Sequence, residues 1–177
     1  MNPNKIFDAL LVLQSQSGSK KALGLLVKRY HGKLCRHSYW YTHDLDAAKD
    51  IVQDSWSVII TKLPNIRDPN AFGSWAMRIV TRKSLDFLNR NKSDREKLRF
   101  YHKTQQDLDT AEDKESDLIQ LEKAIKQLPN TQQVVLRLFY TEEYSLKEIS
   151  AILEISTGTV KSRLFHAREK LKTILKK

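Results

Sequence analysis

A chain of 177 residues with 31 Lys/Arg against 21 Asp/Glu, a formal charge of +10, can hold one or two small domains and should attract polyanions. Its single cysteine excludes an internal disulfide framework, no apolar run approaches the length of a membrane span, and Met1-Asn2-Pro3-Asn4-Lys5 lacks a signal peptide's apolar core, so a cytoplasmic location is expected. With only 5 Gly and 4 Pro, a composition led by Leu and Lys, and no Gly-rich phosphate loop, an all-α protein is favoured over a sheet protein.

The first expected element is an apolar helix around Ile6–Leu13, broken at Ser15-Gln16-Ser17-Gly18-Ser19. A second runs from Lys20 to about Tyr41, where Leu23, Leu26, Val27, Tyr30 and Leu34 recur at helical spacing. His31, Cys35 and His37 are the one cluster that suggests a metal. A structural zinc site needs four ligands and a paired spacing, and no fourth ligand is evident, so these are read as helix residues without metal.

A third helix, near Asp46 to Leu63, divides into an inward face (Ala48, Ile51, Val52, Ser55, Ile59) and an outward one (Asp46, Asp50, Gln53, Asp54, Ser57). The outward face is acidic within an otherwise basic region, and on charge patterning alone it reads as a solvated face. Leu63 to Asn70 is a turn-rich loop leading into a fourth helix, Ala71 to about Arg90, with Arg78, Arg82 and Asn89 along one side; a basic run, Arg90 to Lys103, follows. Trp56, Phe72 and Trp75 could stack on bases, but aromatics at helical spacing more often belong to a core.

Charge then divides the chain. Residues 1–103 carry 19 Lys/Arg and 9 Asp/Glu, residues 104–117 carry 1 and 6, and residues 118–177 carry 11 and 6. The middle segment has only Leu108 and Ala111 to bury, so the expected architecture is two small helical domains, 1–103 and 118–177, joined by an acidic flexible linker, 104–117.

The C-terminal domain should end in a helix-turn-helix. Ser145-Leu146-Lys147-Glu148 is a capping box that starts a helix at Leu146, with Leu146, Ile149, Ile152 and Leu153 on its apolar face. Glu154-Ile155-Ser156 is a tight corner, and Ser156 is a second N-cap for a helix starting at Thr157. On that helix Val160, Leu164, Ala167, Leu171 and Leu175 should face the protein. This leaves Gly158, Thr159, Ser162, Phe165 and His166 outside, flanked by Lys161, Arg163 and Arg168. Small polar residues beside long cations suit a helix in a DNA major groove.

With these residues in hand, the chain resembles the extracytoplasmic-function group of bacterial RNA polymerase sigma factors, the small two-domain branch of the sigma-70 family. One block, Asp46-Ala-Ala-Lys-Asp-Ile-Val-Gln-Asp-Ser-Trp56 with Lys62 to Ile79 and Ser84 to Leu88, is similar to the family's second conserved region. The other, Leu121 to Pro129 with Val134 to Tyr140 and Gly158 to Arg168, is similar to its fourth region. The resemblance implies that Asp50, Gln53 and Asp54 dock on the clamp helices of core RNA polymerase. It implies that Arg67, Asn70, Trp75, Arg78 and Arg82 meet the minus-ten element of promoter DNA, and that Thr159, Lys161, Ser162, Arg163, Phe165, His166 and Arg168 meet the minus-thirty-five element. The acidic linker would thread the RNA exit path.

Three positions depart from the family pattern: Arg82 where Asn is common, Glu154 where Gly is frequent, and His166 where Arg is common. A neutral imidazole gives up the bidentate guanine contact available to Arg, so promoter preference should differ. Family members are commonly held by an anti-sigma factor, an expected partner alongside polymerase and DNA; neither membrane insertion nor a cofactor is expected. No Ser/His/Asp constellation, paired-carboxylate motif or cysteine nucleophile context stands out, so the chain is not expected to be an enzyme. The competing reading is an autonomous helix-turn-helix regulator, which should bind duplex DNA alone and as a dimer; the sequence shows no heptad seam, and a monomer is expected.

Overall fold

The computed structural model describes the backbone of residues 3–98 and 117–176 and the side chains of residues 4–90 and 120–176. The chain divides into two compact units, Met1–His102 and Lys103–Lys177. The acidic linker lies outside the described residues apart from Asp117, which opens a helix.

The first unit packs α1 (Pro3–Gln16), α2 (Lys20–Thr42), α3 (Leu45–Lys62) and α4 (Phe72–Leu98), with two single 3-10 turns, Leu63–Asn65 and Pro69–Ala71, between α3 and α4. α1 extends beyond its expected end, with the hydroxyls of Ser15 and Ser17 satisfied on the carbonyls of Leu11 and Leu13 (2.7 and 3.1 Å), and the break comes only at Ser17-Gly18. Gly18 takes φ 93°, a conformation open to glycine, and Ser19 then caps α2 by accepting from the Ala22 N–H. Asp44 does the same for α3, accepting from the N–H groups of Asp46 and Ala47.

Leu26, Leu34, Ile59, Phe72, Met77 and Val80 are fully buried between the four helices. Each such side chain contributes about 1.5–3 kcal/mol relative to exposure. The polar groups that enter this core are satisfied in pairs: His37 Nε2 lies 2.7 Å from Thr81 Oγ1, and Ser38 Oγ lies 3.0 Å from Ser84 Oγ, both ties joining α2 to α4. α1 is tied twice more. Asp8 accepts from Arg29 Nε and from the Tyr30 hydroxyl, both at 2.6 Å, and Gln16 Nε2 donates to the carbonyls of Leu63 and Ile66 at 3.0 and 2.9 Å. The Gln16 bonds fix the loop that precedes α4. α4 itself runs to Leu98, past the expected end near Arg90.

The second unit contains α5 (Asp117–Lys126), α6 (Asn130–Leu136), a π-helical turn (Arg137–Thr141), α7 (Leu146–Leu153) and α8 (Thr157–Leu175). Gln133 Nε2 closes the α5–α6 corner on the carbonyl of Leu128 at 2.7 Å. Val135, Leu138, Ile149, Ile152, Val160, Leu164 and Ala167 form its core. The expectation that Leu175 faces the protein is corrected: it is 45% exposed, at the last residue of α8 where the helix leaves the core. Among the described residues no helix is long and apolar enough to cross a membrane.

Candidate functional site

Three surfaces gather the residues singled out in the sequence. On α3, Ala48, Ile51, Val52, Ser55 and Ile59 are buried, and Asp46, Asp50, Gln53, Asp54 and Ser57 are exposed, as the helical period requires. Two of the acids have cationic neighbours: Lys49 Nζ lies 3.4 Å from Asp46, and Lys83 Nζ on α4 lies 3.9 Å from Asp54. The Lys83 contact was not foreseen, because it joins residues 29 apart in sequence. At 78% side-chain exposure for Asp54 it is a screened pair that a partner cation can displace at little cost.

The loop between α3 and α4 forms the second surface. Asp68 accepts from the Asn70 backbone N–H and side-chain amide at 3.0 and 3.2 Å, and Pro69 supplies the fixed φ that starts the next turn. Asp68-Pro69-Asn70 is a legible cap motif, although only Asn70 was singled out beforehand. An open pocket of ≈ 500 Å³ is lined by Lys62, Asn65, Ile66, Arg67, Asp68, Ala71 and Trp75. Arg67 and Trp75 are thus brought together, with a half-buried indole as one wall. Trp56 and Phe72 are core residues, 7% and 1% exposed, and neither can offer a face to a base. Arg78 and Arg82 continue from the pocket along the exposed side of α4.

α7 and α8 form the third. Ser145 Oγ accepts from the Glu148 N–H at 3.3 Å while Glu148 Oε2 accepts from the Ser145 N–H at 2.9 Å, the full capping box. The corner is then set by Ser150, whose hydroxyl donates to the Ile155 carbonyl at 2.5 Å, and by Glu154 in the left-handed region at φ 55°, ψ 39°. Ser156 caps α8 through the Thr159 N–H at 3.0 Å. On α8, Lys161, Ser162, Phe165, His166 and Arg168 are exposed, and Thr159 and Arg163 are half-buried. Arg168 is not a loose cation: its Nε donates to the Tyr140 hydroxyl at 2.8 Å, a contact from outside the helix-turn-helix that helical periodicity alone cannot reveal.

His31, Cys35 and His37 lie on α2. His31 Nε2 is 3.6 Å from Cys35 Sγ, but His37 is buried against Thr81. Among the described residues no group of three His, Cys, Asp or Glu could hold an ion. Burial raises the Cys35 thiol pKa above its usual value, with Lys49 and Arg36 opposing the shift.

Comparison with known proteins matches two segments of the chain, one in each unit. Residues 26–94 match the sigma-70 region 2 family, and residues 118–171 match sigma-70 region 4. The chain is 28% identical to RNA polymerase sigma factor SigV of Bacillus subtilis, covering 93% of this chain and 98% of that one. It is 30% identical to the RNA polymerase sigma-H factor of Pseudomonas aeruginosa, covering 92% and 90%. Against the B. subtilis ECF RNA polymerase sigma factor SigW it is 29% identical, covering 93% and 95%. The fold is similar to that of CnrH, solved in complex with the cytosolic domain of CnrY (TM-score 0.67, 24% identity, 96% and 97% covered). It is also similar to the sigma factor RpoE of Bartonella quintana, solved with the anti-sigma factor NepR (TM-score 0.69, 20% identity, 88% and 98% covered). The chain belongs to the sigma-70 family, in its extracytoplasmic-function branch, and is an RNA polymerase sigma factor that directs promoter-specific transcription initiation.

Proposed function

We propose that the three surfaces divide the work of initiation among them. Asp50, Gln53 and Asp54 dock the first unit on core RNA polymerase. Arg67, Asn70, Trp75, Arg78 and Arg82 hold the opened minus-ten element. The outer face of α8, with Thr159, Lys161, Ser162, Arg163, Phe165, His166 and Arg168, binds the minus-thirty-five duplex. Melting costs base stacking, and a pocket that holds a displaced base beside cations that track the single strand compensates for it. The pocket formed by Arg67, Asp68 and Trp75 supports that assignment.

The observation that carries the reading is the construction of α8: a corner fixed by Ser145, Ser150 and Ser156 presents Ser162 and His166 outward, with Lys161 and Arg163 beside them. Small residues allow close approach to base edges, and the cations reach phosphates or guanine edges. The acidic segment 104–117 occupies the RNA exit path of the polymerase as a phosphate mimic. In this reading the chain is a cytoplasmic monomer when free, an anti-sigma factor regulates it, and the chemistry of RNA synthesis belongs to the polymerase it directs. The test is transcription by reconstituted holoenzyme on a promoter library. Substituting Lys161 or His166 should change the preferred minus-thirty-five sequence; an unchanged profile from both would refute the assignment of α8.

A further inference from the structure

No role is assigned to Tyr140 above, yet it holds Arg168, one of the cations of α8. It stands in the π-helical turn Arg137–Thr141, is 57% exposed, and accepts from Arg168 Nε at 2.8 Å. The Arg168 guanidinium also lies over the Tyr140 and Phe139 rings, 5.6 and 5.8 Å from their centroids. The turn is a firm mount for this pair. Leu138 is fully buried, its carbonyl accepts from the Tyr144 N–H at 3.0 Å, and Arg137 pairs with Glu142 at 3.7 Å with little exposure of either side chain. An arginine so held loses less rotamer freedom on binding than one projecting into water.

The donor inventory indicates the ligand. Guanidinium has five N–H donors, and using Nε on Tyr140 leaves those of the two Nη atoms, in the fork that matches two oxygens of a phosphate. The Tyr140 hydroxyl accepts from Arg168 and so keeps its own hydrogen to donate. Glu169, the adjacent acid, is engaged by Lys172 at 2.7 Å. On α8, Arg168 lies seven residues from Lys161 on the same flank, a rise of about 10 Å, whereas Ser162 and His166 share the outermost line. Arg168, two turns beyond Lys161 and tied to Tyr140, is placed to grip the backbone bordering the bases that are read.

We propose that Tyr140 and Arg168 form a clamp for one phosphodiester of the promoter duplex bordering the minus-thirty-five element, with Tyr140 aiming Arg168 and donating its own hydroxyl hydrogen. The clamp rests on the assignment of α8 to that duplex. It is tested with holoenzyme reconstituted from core RNA polymerase and the full chain, by fluorescence anisotropy on promoter duplexes carrying one neutral methylphosphonate at a time. Wild-type protein should show one position, flanking the bases read, where neutralisation weakens binding roughly tenfold, the magnitude of a charge-assisted hydrogen-bonded pair.

Tyr140→Phe, which keeps the ring and the fold, and Arg168→Gln should each weaken binding to the natural duplex and lose sensitivity at that same position. Tyr140→Phe should cost less in the Arg168→Gln background than in the wild type, because only the hydroxyl's own bond is then lost, the base profile should not change, and Arg168→Gln should lower the salt slope by about one. Wild-type affinity and intact methylphosphonate sensitivity in Tyr140→Phe, or additive effects of the two substitutions, would overturn the clamp. If substitutions at Lys161 and His166 still shift the base profile in that case, the assignment of α8 survives without it. If they too change nothing, that assignment fails and the clamp fails with it.

Discussion

Replacing Glu154 by Gly should stabilise the C-terminal unit, although Glu154 stands at a corner on which the whole reading helix depends. Its backbone is held at φ 55°, ψ 39° by the turn between α7 and α8, a left-handed conformation that brings Cβ against the following carbonyl oxygen. For an L-residue this costs about 1–2 kcal/mol, which Gly does not incur. Gly gives back about 0.4–1 kcal/mol through the larger entropy of its unfolded chain. The balance favours the variant by roughly 0.5–1 kcal/mol, or about two- to fivefold slower exchange of globally protected amides. All three tryptophans, Trp40, Trp56 and Trp75, lie in the first unit, so fluorescence is blind to this change. The assay is therefore native-state hydrogen exchange of residues 145–170 by mass spectrometry. Glu154→Asn should give a smaller gain, since Asn tolerates this region, and Glu154→Val should be destabilising. Faster exchange in Glu154→Gly, or equal exchange in the Gly and Val variants, would show that the corner carries no such strain.

Three further outcomes follow from the geometry. A Cβ at Gly73 would meet the Tyr30 hydroxyl at 2.9 Å, and displacing that hydroxyl weakens its bond to Asp8, so Gly73→Ala should weaken a charge-assisted bond and regain some helix propensity, a net loss of about 1 kcal/mol in urea unfolding followed by tryptophan fluorescence; unchanged stability would contradict this. Ser145→Ala removes the capping-box hydroxyl and should cost about 1 kcal/mol in the exchange assay, with no effect on the first unit. The Cys35 thiol, held protonated by burial, should react with iodoacetamide along a pH curve displaced to higher pH than that of a small free thiol. Because the folded state retains this proton longer than the unfolded state, stability should fall as pH rises from the unfolded to the folded thiol pKa, and an undisplaced curve would refute the burial effect.

Much of this was written locally. The two faces of α3, the capping box at Ser145 and the cap at Ser156 each follow from residues within one or two helical turns, and all three appear where the pattern places them. What was not legible depends on distant packing. The Tyr140–Arg168 bond spans 28 residues and the Lys83–Asp54 contact 29, and no periodicity relates them. Leu175 fits the apolar stripe of α8 but is 45% exposed, so the pattern alone assigns it to a core that does not include it. Trp56 and Trp75 are alike in sequence terms, and only the surrounding helices decide that one is core and the other a pocket wall. The π-helical turn has no composition signature at all, and it is what brings Tyr140 to Arg168.

The docking surface on α3 is the premise on which promoter recognition depends. The most direct test is a titration of labelled chain with purified core RNA polymerase, comparing wild type with the Asp50→Lys, Asp54→Lys double variant at low and elevated salt. Both positions are exposed, so the fold should survive, as circular dichroism will show. Stoichiometric binding by the wild type, weakened by salt and lost in the folded double variant, is the predicted result. Equal affinity of the two proteins for polymerase would contradict the assignment of α3.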